Sequence, residues 1–344
     1  MSDTPSRTVL VTGGSGYIAA FVIARLLDEG FTVRTTIRNL SREAEVRASI
    51  AKLTNAGDRL TFLAADLNND AGWPEAVAGA TFVQHVASPL PTTNPKNDDD
   101  LIRPARDGAL RVLKAARDAG VKRVVMTASV ACIAYGHGSR TEPFTEADWT
   151  DETNLSDTSP YERSKTIAER AARAWLQKDG GALELVTIHP GLVLGPVLGR
   201  DFSASIVAVE KLLDGSVPAL PRFGWALVDV RDIADLHYRA MLTDGIAGER
   251  FIGANDFWWM SDIAAVLKRR LGAKARKVPT MKVPNFVVKL MSTFDPVVRD
   301  RLFELDKYRP VSNKKAKLTL GWAPRSDEEA IVATAESLIQ EKII

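Results

Sequence analysis

Residues 11–19 read VTGGSGYIA. They follow a short apolar run, RTVLVT (7–12), and open an amphipathic stretch, GYIAAFVIARLLDEG, that closes at Gly30. A strand that turns through glycines into a helix restricts the fold more than any other segment of this chain. Gly13 permits a sharp turn. Gly16 lets a ligand approach the backbone, and the helix start beyond it offers free N–H groups and a partial positive charge. Ala19 sits where a third small residue is needed for helix-on-sheet packing. Alone, the glycine pattern is an ordinary turn. With a strand before it, a helix after it and a second strand in place, it reads as a dinucleotide phosphate loop.

The rest of the first half repeats that rhythm. FTVRTTI (31–37), LTFLAA (60–65), TFVQHVA (81–87), KRVVMTA (122–128) and LELVTI (183–188) read as strands, separated by helical spacing such as DLIRPARDGALRVLKAARDAG. Their apolar runs lack clean alternation, as burial on both faces requires. The expected fold class is α/β: a doubly wound (Rossmann-type) parallel sheet with a smaller, mostly C-terminal substrate lobe. After residue 190 proline and glycine become frequent and only modest helices, 261–271 and 326–340, stand out. The expected division is residues 1–190 plus about 225–252 as the cofactor domain, and 191–224 plus about 253–344 as the lobe. The acidic run NDDDL (97–101) reads as a helix start capped by Asp100, not as a metal site.

Composition narrows the partners. The 344 residues carry 45 Lys and Arg against 43 Asp and Glu, which points to neither nucleic acid nor a membrane. Cys132 is the only cysteine, so no internal disulfide forms and a reducing compartment suits the chain. No signal-like or membrane-spanning apolar run is apparent, which makes a cytoplasmic location the expectation by elimination. Monomer and homodimer both stay open.

An NAD site wants an acidic residue at the end of the second strand. Here that strand ends TTIRNLSRE, with Arg38 in place and Arg42 a turn later. A guanidinium binds a 2′-phosphate where a carboxylate repels it, so NADP(H) is the expected cofactor. The competing reading leaves both arginines solvated. Asp66, after the third strand, is placed to accept from an adenine amino group or to serve as a plain turn aspartate.

YERSK (161–165) puts Tyr161 and Lys165 four apart on one helix face. A free phenol has a pKa of about 10, and a nearby ammonium is expected to lower it into a useful range for proton exchange. Ser129, at the end of the fifth strand, can donate to the same substrate oxygen. Tyr-x-x-x-Lys is common by chance, and the glycine loop, six strands and serine are what give it weight.

On TGGSGYIA (12–19), Arg38, DL (66–67), HVASP (85–89), PARDGALRVLKAA (104–116), TASVA, YERSK, HPGLVLGP (189–196) and VDVRDIA (228–234), the chain resembles the extended short-chain dehydrogenases/reductases. Within them it is similar to the branch of dihydroflavonol reductases, cinnamoyl-CoA reductases and microbial aldehyde or carbonyl reductases. The match covers residues 8 to about 255. The resemblance implies Gly13, Gly16, Tyr17 and Ile18 at the pyrophosphate, Arg38 at the 2′-phosphate, and Asp66 and Leu67 at the adenine. It also implies Ala87 and Ser88 beneath the cofactor and Pro190 and Leu192 near the nicotinamide. Ser129, Tyr161 and Lys165 would be the catalytic set, with Lys165 also bonding the ribose. Three positions depart from the pattern: Ala19 replaces a glycine, Ala128 replaces a serine, and His189 stands where asparagine is common. His189 reads either as a pocket group or as a buried neutral histidine; Cys132 reads either as a reactive thiol or as a small buried residue. Trp258 and Trp259 read as packing.

The expected substrate surround, drawn from 89–96, 130–136, 192–205 and 222–227, is mostly apolar: Pro89, Leu90, Val130, Ile133, Leu192, Phe202, Phe223 and Trp225. Such a pocket suits a hydrophobic aldehyde or ketone, reduced by NADPH, with a small-molecule alcohol as product. The alternatives are a nucleotide-sugar epimerase or dehydratase that retains NAD, a hydroxysteroid dehydrogenase, and a non-catalytic NADP-binding redox sensor.

Overall fold

The computed structural model describes residues 7–89 and 97–344. β1 (Thr8–Val11) passes through the glycines into α1 (Tyr17–Asp28), then β2 (Thr32–Ile37), α2 (Glu43–Ala51), β3 (Leu60–Ala64) and the short α3 (Trp73–Val77). The second half is β4 (Phe82–His85), α4 (Asp99–Asp118), β5 (Arg123–Thr127), α5 (Pro160–Asp179) and β6 (Glu184–Pro190). Next come β7 (Leu192–Leu194), α6 (Ala204–Asp214), β8 (Gly224–Asp229), α7 (Val230–Leu242), β9 (Arg250–Gly253) and β10 (Phe257–Trp259). The chain ends with α8 (Met260–Leu271), α9 (Asn285–Met291), α10 (Pro296–Arg299), α11 (Lys314–Leu320) and α12 (Asp327–Gln340).

Seven strands form one sheet in the order β3-β2-β1-β4-β5-β6-β9, every pair parallel. The chain builds outward from β1 to β3, then returns to lay β4 on the other side of β1. The crevice beyond the C-terminal ends of β1 and β4 is therefore the switch point where open sheets take ligands. Val9, Leu10, Val11, Val124 and Val125 are fully enclosed, as strands covered on both faces must be. The six expected strands lie within two residues of their expected ends. The seventh, β9, is RFIG, too short and too mixed to announce itself. A second sheet, β10-β8-β7, carries the C-terminal part, with α6, α8 and α12 packed around it.

The expected helix cap moves by two residues. Asp98, not Asp100, occupies the cap position of α4, and its carboxylate is bound by Arg163 of α5. Asp100 lies inside the first turn, where a negative charge still suits the helix dipole.

The glycine loop is held from below. The Gly14 N–H donates to the Thr36 carbonyl at 2.8 Å, and the Gly13 N–H to the Thr36 hydroxyl at 3.1 Å. Gly13 has φ of 73°, a conformation that favours glycine. A Cβ on Gly14 would lie 2.2 Å from the Thr35 hydroxyl oxygen, which is itself bonded to the Val11 carbonyl. Gly14→Ala is therefore expected to cost about 1–3 kcal/mol through overpacking; urea unfolding reads this, and an unchanged midpoint would contradict the tight β1–β2 contact.

Candidate active site

α5 begins with a reciprocal cap. The Ser159 hydroxyl accepts from the Tyr161 N–H at 3.2 Å, while the Glu162 carboxylate accepts from the Ser159 N–H at 2.8 Å. Pro160 fits the first turn, where its missing N–H is no loss. From this start Tyr161, Lys165 and Glu169 fall four apart on the inward face.

Glu169 has no exposure, and donors surround it. It accepts from His189 Nε2 at 2.8 Å and from Arg173 Nε, Arg250 Nε and the Thr187 hydroxyl, each at 3.0 Å. Burial alone would raise this carboxyl; His189, Arg250 and Arg173 instead hold it well below the ordinary carboxylate range. The ring of donors joins the middle of α5 to β6 and β9. Burial pushes His189 down, so it is the buried neutral histidine and donates through Nε2. Burial pushes the fully enclosed Cys132 thiol well up, which leaves it inert. Cys132, Glu169 and His189 each place one donor atom within 4.8 Å of the others. A cation there would have to displace two guanidinium groups from Glu169.

Tyr161 is half-buried, and its hydroxyl lies near enough to Ser129, just past the end of β5, for that side chain to favour the phenolate. Ser129 also accepts the Ala131 N–H at 3.1 Å, which fixes its rotamer at the head of the turn Val130–Cys132. Lys165 Nζ stands 6.0 Å from the centre of the Tyr161 ring. The structure thus brings Ser129, Tyr161 and Lys165 together. It does not make the phenol acidic: burial pushes Tyr161 up to about 12, nearby Ser129 offsets only part of this, and the Lys165 charge is too distant to reverse it. Burial also lowers Lys165, since its ammonium lines a small cavity with Leu67, His85, Ala87, Ser88 and Glu169. His85 is pushed down to about 3 by burial and then by Lys165, so it is neutral beside Thr12.

The cofactor candidates line the crevice by backbone as much as by side chain. Gly16 caps α1 with no side-chain hydrogen bond, so the first-turn N–H groups at Tyr17 and Ile18 have no side-chain acceptor there. The Tyr17 ring itself turns inward and packs edge-on against Phe21 at 5.6 Å; what it can offer a ligand is its N–H. The Ala87 N–H donates to the Thr12 hydroxyl, which also bonds His85 Nδ1, both at 3.0 Å. Arg38 is exposed just past β2 and makes no side-chain bond among the described residues. Arg42 is committed, to Glu45 at 2.9 Å and to Asp201 at 2.6 Å. Asp66 accepts from the Asn68 N–H at 2.9 Å, the turn role that competed with adenine binding. Pro190 is buried at the end of β6, and Leu192 is half-buried against the core.

Of the apolar surround, Val130 is half-buried against the cluster that Tyr161 and Phe303 also border, whereas Ile133 is wholly enclosed within that cluster. Phe202, Phe223 and Trp225 are half-buried against the larger core. Leu90 and the rest of 90–96 lie outside the described residues. Trp258 donates to Asp327 at 2.8 Å, and Trp259 stacks on Tyr308. Sequence reasoning missed Thr12, Glu169 and Arg250; for Glu169 the available signal was a third polar residue on the Tyr161–Lys165 spacing.

A polar knot sits behind Tyr161. Glu304 accepts from the Tyr135 hydroxyl at 3.2 Å and from Arg309 at 3.0 Å, while Arg309 also holds Asp157 at 2.8 Å. One guanidinium shared by two buried carboxylates, with buried Glu162 nearby, leaves Glu304 short of charge compensation. Burial pushes it from the ordinary 4.5 to about 7. The folded chain then holds a proton that the unfolded chain has lost between these values, so its contribution to stability is full below pH 4.5 and is lost as pH rises through 7. Glu304→Gln is expected to shrink the loss of stability between pH 5 and 8 by on the order of 1–3 kcal/mol, read from urea midpoints. Asp327, raised to about 6 by burial, leaves a residual slope of the same sign; an undiminished slope in the variant would contradict the assignment.

Comparison with known proteins finds relatives of this sequence and fold. Residues 9–252 match the model of the NAD dependent epimerase/dehydratase family. Cinnamoyl-CoA reductase CAD2 of Medicago truncatula is 35% identical over 249 residues, covering 70% of this chain and 73% of that protein. Dihydroflavonol 4-reductase of Zea mays is 30% identical over 269 residues, covering 76% and 74%. Among solved structures, yeast methylglyoxal/isovaleraldehyde reductase Gre2 complexed with NADPH superposes with a TM-score of 0.80 over 98% of this chain and 100% of that one, at 23% identity.

Proposed function

Because this chain belongs to the NAD dependent epimerase/dehydratase family, we propose that it is an NADPH-dependent reductase of hydrophobic aldehydes or ketones. The observation that carries the reading is the juxtaposition of Tyr161 with Ser129 at a strand end, with Lys165 one turn along the same helix. The residues fit the cofactor. The turn at Gly13, the uncapped N–H groups at the start of α1 and the unpaired Arg38 match a pyrophosphate and a 2′-phosphate. Asp66, Leu67, Ala87, Ser88, Pro190 and Leu192 would line the remainder. When bound, NADPH supplies the hydride.

What the protein adds is orientation and a proton. A carbonyl oxygen seated between Ser129 and Tyr161 would receive two hydroxyl donors. A phenol at about 12 stays protonated through the neutral range. It is still a much stronger acid than an alcohol, whose pKa lies near that of water. Its proton therefore passes to the developing alkoxide, and the reductive direction is favoured near neutrality. Lys165 supplies a fixed positive charge on the same side. Val130 and Phe303, which border the same apolar cluster as Tyr161, would give the carbonyl an apolar flank. Arg38 disfavours the rival that retains NAD, which would want a carboxylate at that position.

Tyr161→Phe is expected to lower kcat/KM by about 10²–10⁴-fold while NADPH still binds, as followed by cofactor fluorescence; wild-type turnover would remove the proton donor from this account. Arg38→Ala is expected to weaken NADPH about 10- to 100-fold and to leave NADH nearly unaffected. Equal losses for both cofactors would contradict the 2′-phosphate assignment. A panel of aryl and alkyl aldehydes and ketones tests the substrate class, and no NADPH consumption across it would count against the class.

A further inference from the structure

Six of the eleven large apolar side chains exposed on the described surface fall between residues 281 and 297: Met281, Phe286, Leu290, Met291, Phe294 and Val297. Phe294 is 84% exposed, Phe286 71%, Val297 69% and Leu290 61%. Phe286 and Leu290 lie four apart on α9, Phe294 follows in the turn and Val297 in α10, while Val288 and Ser292 are buried. The inner face is thus already packed, and the outer face projects into solvent. Exposures this high describe side chains that protrude; a groove would shelter them. Single exposed apolar residues need no explanation, but a contiguous protruding set does.

The charge around the set is one-sided. Residues 272–301 hold seven Lys and Arg (Lys274, Arg276, Lys277, Lys282, Lys289, Arg299 and Arg301) against Asp295 and Asp300. All seven are exposed, and none is in an ion pair among the described residues, where thirty such pairs occur elsewhere. This segment alone accounts for the chain's positive sign, because the remaining residues are net acidic. The near-zero total charge, which pointed away from membranes, conceals it.

We propose that residues 281–299 dock on an anionic lipid surface, inserting Phe286, Leu290, Phe294 and Val297 among the acyl chains while the flanking Lys and Arg meet the headgroups. No helix of the described residues is long and apolar enough to span a bilayer, so the contact is interfacial. A second copy of the chain fits poorly: a two-fold contact would set the same unpaired cations against each other. An acidic protein would satisfy the charges but gives protruding phenylalanines no pocket. The following segment, Leu302–Glu304, packs Phe303 against Tyr135 in the cluster that Tyr161 also borders, so the anchor adjoins the cleft.

Co-sedimentation of the full chain with vesicles tests this without reference to catalysis. Vesicles of phosphatidylcholine with roughly one-third phosphatidylserine are expected to bind the chain more than tenfold better than pure phosphatidylcholine, and high salt should weaken the binding. The Phe286→Ser/Phe294→Ser pair, with an unchanged unfolding midpoint, should lose at least tenfold on the anionic vesicles. Lys282→Glu/Lys289→Glu should remove the preference for anionic lipid. No binding, equal binding to both vesicles, or binding untouched by the phenylalanine pair overturns the proposal. So does a dimer in light scattering that the phenylalanine pair dissolves, or soluble polyglutamate binding that matches the anionic vesicles and ignores that pair.

Discussion

A single buried carboxylate fixes the working parts of this molecule. Glu169 lies two turns beyond Tyr161 on α5, and β6 and β9 both supply donors to it: Thr187 and His189 from one, Arg250 from the other. A helix packed on a sheet by apolar contacts alone can rotate by a fraction of a turn at little cost. A charge that must keep three partners on two strands cannot. The rotation of α5 is therefore set, and with it the direction in which Tyr161 and Lys165 face. The reciprocal cap at Ser159 and Glu162 sets where the helix begins, so Tyr161 meets Ser129 rather than missing it by a turn.

The same burial that fixes the tyrosine also decides its chemistry. A cation at 6.0 Å from the ring does not outweigh the cost of exposing a phenolate to low dielectric. The hydroxyl keeps its proton until an alkoxide claims it. Lys165 acts as a fixed charge beside that event, at the mouth of a cavity it shares with His85, which stays neutral and bonded to Thr12. Behind the tyrosine, the knot of Glu304, Arg309, Asp157 and Tyr135 ties the segment after α10 to the loop that follows β5.

Much of this was legible in the sequence because it is local. The phosphate loop, six strands and the Tyr-x-x-x-Lys spacing are each written within a few consecutive residues. The helix cap at Asp98 was misplaced by two positions because what chooses among three adjacent aspartates is Arg163, a distant partner. β9 was missed because RFIG carries no usable periodicity; it is a strand because β6 pairs with it. Glu169 and Arg250 are 81 residues apart, and no local pattern signals their meeting. The expected acidification of Tyr161 failed for a similar reason. Spacing gives the neighbour, but burial, which depends on the whole fold, sets the balance of energies.

The most direct test of this central dependence is Glu169→Gln, with unfolding and steady-state reduction measured on the same preparation. Leaving the buried Arg250 guanidinium without its carboxylate is expected to cost about 3–5 kcal/mol of stability. At a temperature where the variant remains folded, kcat should drop while NADPH affinity holds, since the phosphate loop lies elsewhere. A variant with the stability and turnover of the parent chain would show that α5 finds its orientation without this carboxylate.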